Sequence, residues 1–128
     1  MNVPEGLYYT DQHEWLRVEG DAAVVGITDF AQDALGDVVF VDLPPVGKVL
    51  QQGQEACAVE SSKAASDIYA PAGGRVVQVN AAVASNPAVI NEDPYGNGWI
   101  FKIALADKAD LSKLLDAKAY AALVAKEA

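Results

Sequence analysis

Two eight-residue segments of the chain match one another. Pro44 to Gln51 reads PPVGKVLQ, and Pro71 to Gln78, 27 positions later, reads PAGGRVVQ. Pro44 matches Pro71, Gly47 matches Gly74, Lys48 matches Arg75, Val49 matches Val76, Leu50 matches Val77 and Gln51 matches Gln78. Any two turn-then-strand segments share some chemistry, because turns draw on the same few residues. Here the matching charge, the shared terminal Gln and a lysine midway between the copies, Lys63, favour duplicated halves of a quasi-two-fold β barrel.

The rest of the chain fits such a fold. His13 to Val18 and Ala22 to Ile27 read as strands joined by a turn at Glu19-Gly20-Asp21, a hairpin. Thr28 can cap a short helix carrying Phe30, Ala31, Ala34 and Leu35 at helical spacing, with Asp29 in its first turn and Gly36 ending it. Asp37 to Leu43, DVVFVDL, is rich in β-branched and aromatic residues, and Pro44-Pro45 stops it. Lys48 to Leu50 and Arg75 to Val79 are further strands. Asn80 can cap a helix over Ala81 to Ser85, and Asn91 to Gly98 reads as a loop dense in turn formers. Trp99 to Leu105 reads as the last strand. Leu111 to Lys126 has apolar residues near helical spacing and predicts one amphipathic C-terminal helix. Many short strands between Gly and Pro turns favour a mainly β sandwich or barrel.

Length and composition limit what this fold can do. A chain of 128 residues suits one domain, with a core over about residues 8–105 and a helix over about 110–126. At 52% hydrophobic residues it can build a core. No apolar run reaches the roughly 20 residues a membrane-crossing helix needs. The first residues, MNVPEGLYY, lack a basic start, an apolar block and an Arg-rich leader, so the expected location is the cytoplasm. One cysteine, Cys57, and one histidine, His13, exclude an internal disulfide and argue against a Cys/His zinc site. Cys57 reads as a small buried hydrophobe and His13 as structural. The net charge of −9 disfavours nucleic acid, whose phosphates call for Lys and Arg, and favours partners with basic faces.

Lys63 stands out from this frame. It lies between the strand-like runs Ala56 to Val59 and Ile68 to Ala70, flanked by Ser61, Ser62, Ala64, Ala65 and Ser66. A lysine at a hairpin tip among small residues holds no core together, but another protein can reach it. It is therefore a candidate for covalent modification, and a modified lysine can serve as a swinging arm.

At this point the sequence resembles a known family. VESSKAASDIYAP, HEW near the start, GITDFAQDALGDVVFVDLPPVG in the middle and NEDPYGNGWIFKI toward the end are similar to the H-protein family of the glycine cleavage system, from about Tyr8 to Tyr120. The resemblance implies a sandwich-barrel hybrid of the lipoyl/biotinyl carrier type, with short helices and a C-terminal helix. It implies lipoic acid in amide linkage to Lys63 and a shuttle that is not itself an enzyme. Its partners would be the glycine decarboxylase (P protein), which loads an aminomethyl group, the tetrahydrofolate-dependent aminomethyltransferase (T protein), dihydrolipoamide dehydrogenase (L protein), and a lipoate-attaching enzyme. It places Glu14 and Asp67 near a cleft that shields the loaded arm. A shuttle that visits three enzymes suits a monomer. Trp15 and Trp99 read as core or cleft-wall residues, and Tyr95 and Gly96 belong to the turn-rich loop and carry no chemistry. Many members have a branched apolar residue just before the lysine, where this chain has Ser62.

Rival readings are a biotinyl domain, a lipoyl domain of a 2-oxo-acid dehydrogenase, a lipoyl donor to other complexes, and a small Ser–Lys enzyme. Biotin acceptors usually place methionines beside the lysine, and the only Met here is Met1. The HEW hairpin and C-terminal helix argue against an excised dehydrogenase domain. For the Ser–Lys enzyme, adjacent strand residues point to opposite faces, and no nucleophile-elbow motif is present. The donor role is compatible with the shuttle.

Overall fold

The computed structural model describes residues 1–127. Among the described residues nine strands form two antiparallel sheets. The strands are β1 (Tyr8–Tyr9), β2 (Glu14–Glu19), β3 (Ala22–Ile27), β4 (Val38–Asp42), β5 (Val49–Leu50), β6 (Glu55–Ser61), β7 (Ala65–Tyr69), β8 (Gly74–Val79) and β9 (Phe101–Leu105). One sheet has the order β1-β2-β3-β9-β8-β5 and the other β4-β6-β7. The helices are short: α1 (Asp29–Leu35), α2 (Ala81–Ser85), α3 (Val89–Glu92) and α4 (Ala117–Glu127). This is the mainly β, sandwich-barrel architecture with a C-terminal helix that the sequence implies. No described helix is long and apolar enough to cross a membrane.

Strand parity sorts the core. Leu16, Ala23, Val25 and Ile27 point into the sandwich, where they meet Val59 and Ile68 of the smaller sheet. Their neighbours Trp15 and Val24 point the other way and are covered by Tyr120 and Val124 of α4. Tyr9 stacks on Tyr120 with ring centroids 4.6 Å apart. Glu14 shares parity with Leu16, so a carboxylate is carried to the sandwich side.

The repeat becomes a strand pair. β5 and β8, one from each copy, lie antiparallel with Val49 opposite Arg75. Exchanging the copies turns that pair into Val76 and Lys48, and the Val76 amide donates to the Lys48 carbonyl at 2.8 Å. The register thus maps onto itself, as a local two-fold requires.

Four expectations are corrected. The C-terminal helix does not begin near residue 110: Lys108–Lys113 is a 3-10 helix, Leu114 is extended, and α4 starts at Ala117. The reason is long-range, since Leu115 exchanges both backbone hydrogen bonds with Tyr9, at 2.8 Å each, and Asp116 then caps α4 by accepting from the Ala119 amide. The loop expected over Asn91 to Gly98 begins inside α3. Trp99 and Ile100 precede β9 rather than opening it. His13 lies outside β2, at φ 71, with its ring bonded to the Tyr120 hydroxyl and Glu127. As expected, Thr28 and Asn80 cap α1 and α2 through their side chains, and Gly36 ends α1.

Candidate functional site

Lys63 sits at the tip of the β6–β7 hairpin. Both strands run closer to the tip than the sequence suggests, so Ser66 and Asp67 are strand residues. The Ser61 amide donates to the Ala64 carbonyl at 2.7 Å, closing the turn. The Ser61 hydroxyl accepts from the Lys63 and Ala64 amides at 3.3 and 3.1 Å. That hydroxyl is engaged by backbone rather than by the Lys63 amine, unlike a Ser–Lys pair. Lys63 itself is exposed, and no ion pair among the described residues involves it.

The tip is held from the side by a residue the sequence reading left in a loop. The Ser62 amide donates to the Asp37 carbonyl at 3.0 Å, so the segment between α1 and β4 supports the hairpin. Asn91 fixes that segment, donating to the Gly36 carbonyl at 2.8 Å and to Gln32 at 3.0 Å while accepting from the Val38 amide at 2.9 Å. The Lys63 stem lies across Gly36, where a Cβ would meet its Cε at 3.4 Å. An ammonium beside the C-terminus of α1 is favourably placed, because helix C-termini carry partial negative charge. The signal for Asn91 was its place in NEDPYG, but its partners lie more than fifty residues away in sequence.

Two cavities flank Glu14. The smaller, about 190 Å³, is lined by Phe30, Ala31, Ala34 and Leu35 of α1, by Val59 and Ile68 of the smaller sheet, and by Glu14, Ser66 and Asp67. The larger, about 530 Å³, extends toward Gln52, Tyr69, Pro71 and Lys113, at the end of β7 away from the tip. The smaller one fits an arm from Lys63 better. Asp67 is four residues from the lysine, at most about 14 Å of chain, and the walls suit an aliphatic group.

Glu14 and Asp67 therefore border one cavity, but they differ in kind. Asp67 is exposed. Glu14 is only 1% exposed, accepts from the Thr10 hydroxyl, and accepts from the Tyr69 amide at 3.1 Å. It thus ties β2 of one sheet to β7 of the other. Burial raises its pKa above the ordinary carboxylate value, against the pull of the Thr10 and Tyr69 hydrogen bonds. The folded chain therefore holds this proton more tightly than the unfolded one. At pH below the unfolded value both states are protonated and burial carries no ionic penalty. As pH rises through the raised folded value, the penalty grows to its full size and then stays. Relative to Glu14→Gln, the wild-type chain should therefore lose stability as pH rises from 3 to 8. Paired thermal melts across that range check this, and a constant gap would contradict it.

Trp15, Trp99, Tyr95 and Cys57 are held by packing or by backbone hydrogen bonds. Trp15 is fully buried, its indole N–H donating to the Pro94 carbonyl at 3.0 Å. Trp99 is half-buried beside the same cluster. The Tyr95 hydroxyl accepts from the Asp29 amide at 3.0 Å and donates to the Asn2 carbonyl at 2.7 Å, pinning the N-terminus. Cys57 is buried, and desolvation pushes its thiol up to about 12, far from a reactive thiolate.

Comparison with known proteins agrees with this geometry. A family model described as "Glycine cleavage H-protein" matches residues 7–127. The chain is 52% identical over all 128 residues to a glycine cleavage system H protein of Thermus thermophilus, covering 100% of both. It is 57% identical over 119 residues to one of Symbiobacterium thermophilum, covering 93% of each. Its structure matches a crystal structure of a glycine cleavage system H protein from Mycobacterium marinum with TM-score 0.89 and 41% identity, over 96% of this chain and 99% of that one.

Proposed function

Because the chain belongs to the glycine cleavage H-protein family, whose members have a carrier role in the glycine cleavage system, we propose that it carries lipoate on Lys63 as a single, monomeric, non-catalytic lipoyl-carrier domain of the cytoplasm. It takes an aminomethyl group from glycine decarboxylase, delivers it to the aminomethyltransferase, and is reoxidised by dihydrolipoamide dehydrogenase. The observation that carries this reading is one exposed lysine at a hairpin tip, beside an apolar cavity whose polar end is the buried Glu14.

The residues fit the group. Lys63 is exposed and makes no ion pair among the described residues, so its amine is open to an approaching enzyme. Deprotonated, that amine attacks the acyl carbon of an activated lipoyl group. An amide C–N bond forms, the bond to the leaving group breaks with its electron pair, and the nitrogen's surplus proton passes to solvent. The cofactor, once bound, supplies the disulfide–dithiol chemistry that side chains perform poorly. Phe30, Leu35 and Ile68 would keep water from an aliphatic arm, and Glu14 and Asp67 would attract a protonated amine at its end. Tethering lets each partner enzyme meet its substrate at high effective concentration.

The test is direct. Lipoylated chain mixed with glycine decarboxylase and glycine should gain the mass of one glycine less CO2, and unlipoylated chain should gain none. Lipoylated chain that stays unchanged with active decarboxylase would remove the glycine cleavage role and favour a lipoyl donor to other complexes.

A further inference from the structure

β4 carries a feature the carrier reading does not use. DVVFVDL is rich in β-branched and aromatic residues, and in the structure Val39 is 57% and Phe40 52% exposed. The cause is a β-bulge. Val38 pairs with Ser61 and Phe40 with Glu60, leaving Val39 as the extra residue. A bulge breaks the in-out alternation and re-aims side chains. Here Val38 and Val41 stay buried while two adjacent large apolar residues face out. β4 is an edge strand, with only β6 beside it.

The surroundings of this pair are acidic. Glu60 lies directly across from Phe40, and Asp37 and Asp42 flank the pair along the chain; all three are exposed. None joins an ion pair among the described residues. The surface is an apolar knob in an anionic rim, on a chain of net charge −9.

It also lies close to the acceptor. Glu60 is three residues from Lys63, at most about 11 Å of chain, and neighbouring strands are about 5 Å apart. A standard interface covers about 800 Å² per partner, a disc about 16 Å in radius. An enzyme footprint centred on Lys63 therefore extends to the strand that carries Phe40. Enzymes that act on the far end of a loaded arm need not approach so near.

We propose, building on the carrier reading, that Val39 and Phe40 are the docking knob for the enzyme that attaches lipoate to Lys63, which receives them in an apolar pocket rimmed by Lys or Arg. Phe40 is the anchor, since buried aromatics dominate interface energetics, and Asp37, Asp42 and Glu60 steer the encounter.

The experiment follows lipoate attachment to the whole chain by intact mass, using a lipoate ligase with lipoate and ATP. Phe40→Ser should lower kcat/KM about ten-fold through KM, and Phe40→Leu should recover much of the loss. Val49→Ser, which alters a more exposed valine on the other sheet, should attach at the wild-type rate. Added salt should slow the wild-type reaction. Direct binding of the ligase to a Lys63→Arg chain should weaken by a similar factor when Phe40→Ser is added. Equal rates and equal binding for wild type and Phe40→Ser overturn the proposal alone. A wild-type dimer dissolved by Phe40→Ser, with attachment unchanged, overturns it in favour of contact between copies. Attachment to neither chain overturns the carrier reading and this proposal with it.

Discussion

Replacing Lys63 by arginine should abolish lipoylation while leaving the fold intact. In cells supplied with lipoate, the wild-type chain should show a single lipoyl-sized mass addition and the Lys63→Arg chain none. Arginine keeps the length and positive charge, but its guanidinium stays protonated at any physiological pH and offers no lone pair for attack. The substitution should cost little stability, because Lys63 is exposed and makes no ion pair among the described residues. Surface changes of this kind usually fall within about 0.5 kcal/mol. The result is informative because other lysines are present. Lys102 and Lys108 pair with Glu19 and Asp21, and Lys113 borders the larger cavity. A single addition that persists in Lys63→Arg would move the acceptor to another lysine, with Lys48, Lys118 and Lys126 also open to it. Unchanged thermal melting would show that the loss belongs to the amine and not to a disturbed hairpin.

The tip was legible in the sequence because its determinants are local. Small and polar residues around Lys63, strand-formers on both sides and a matching segment on each flank all lie within about twenty residues of it. Glu14 was half legible. The family resemblance places it near the cleft, but the Tyr69 amide that donates to it belongs to the other sheet, 55 positions away. Non-local pairing also explains the misreadings. The leucines from Leu111 onward sit near helical spacing, but Leu115 bonds to Tyr9 and the helix waits for Asp116. The segment of Val39 and Phe40 reads only as β-rich, because the bulge that turns both outward is set by the register against β6. Asn91 looks like a turn former until its side chain meets the end of α1. In each case the sequence carried the residue's chemistry, and the partner lay on another element.

Gly47 and Gly74 show how far the repeat can be trusted. They occupy matching places in its two copies, so sequence alone gives them one role. The structure gives them two. Gly47 adopts φ +96 with nothing within 4 Å of a built Cβ. Its need for glycine is conformational, and alanine there should cost about 1–2 kcal/mol. Gly74 has an ordinary φ, but a Cβ there would lie 2.3 Å from the Ala104 carbonyl oxygen and 3.0 Å from its carbon. That oxygen is backbone, in the β8 and β9 pairing that sets Gly74 opposite Leu105 and Arg75 opposite Ala104. No rotamer change relieves the clash, so the two strands must part where the larger sheet joins the repeat. Gly74→Ala should therefore cost about 3 kcal/mol, the upper end for overpacking, and lower the melting temperature by roughly 10 °C. Asparagine separates the two causes, since it tolerates positive φ better than alanine but is larger. Gly47→Asn should melt above Gly47→Ala, whereas Gly74→Asn should melt no higher than Gly74→Ala. If both positions lost the same small amount with alanine, β8 and β9 would be able to yield, and the two glycines would share one role after all.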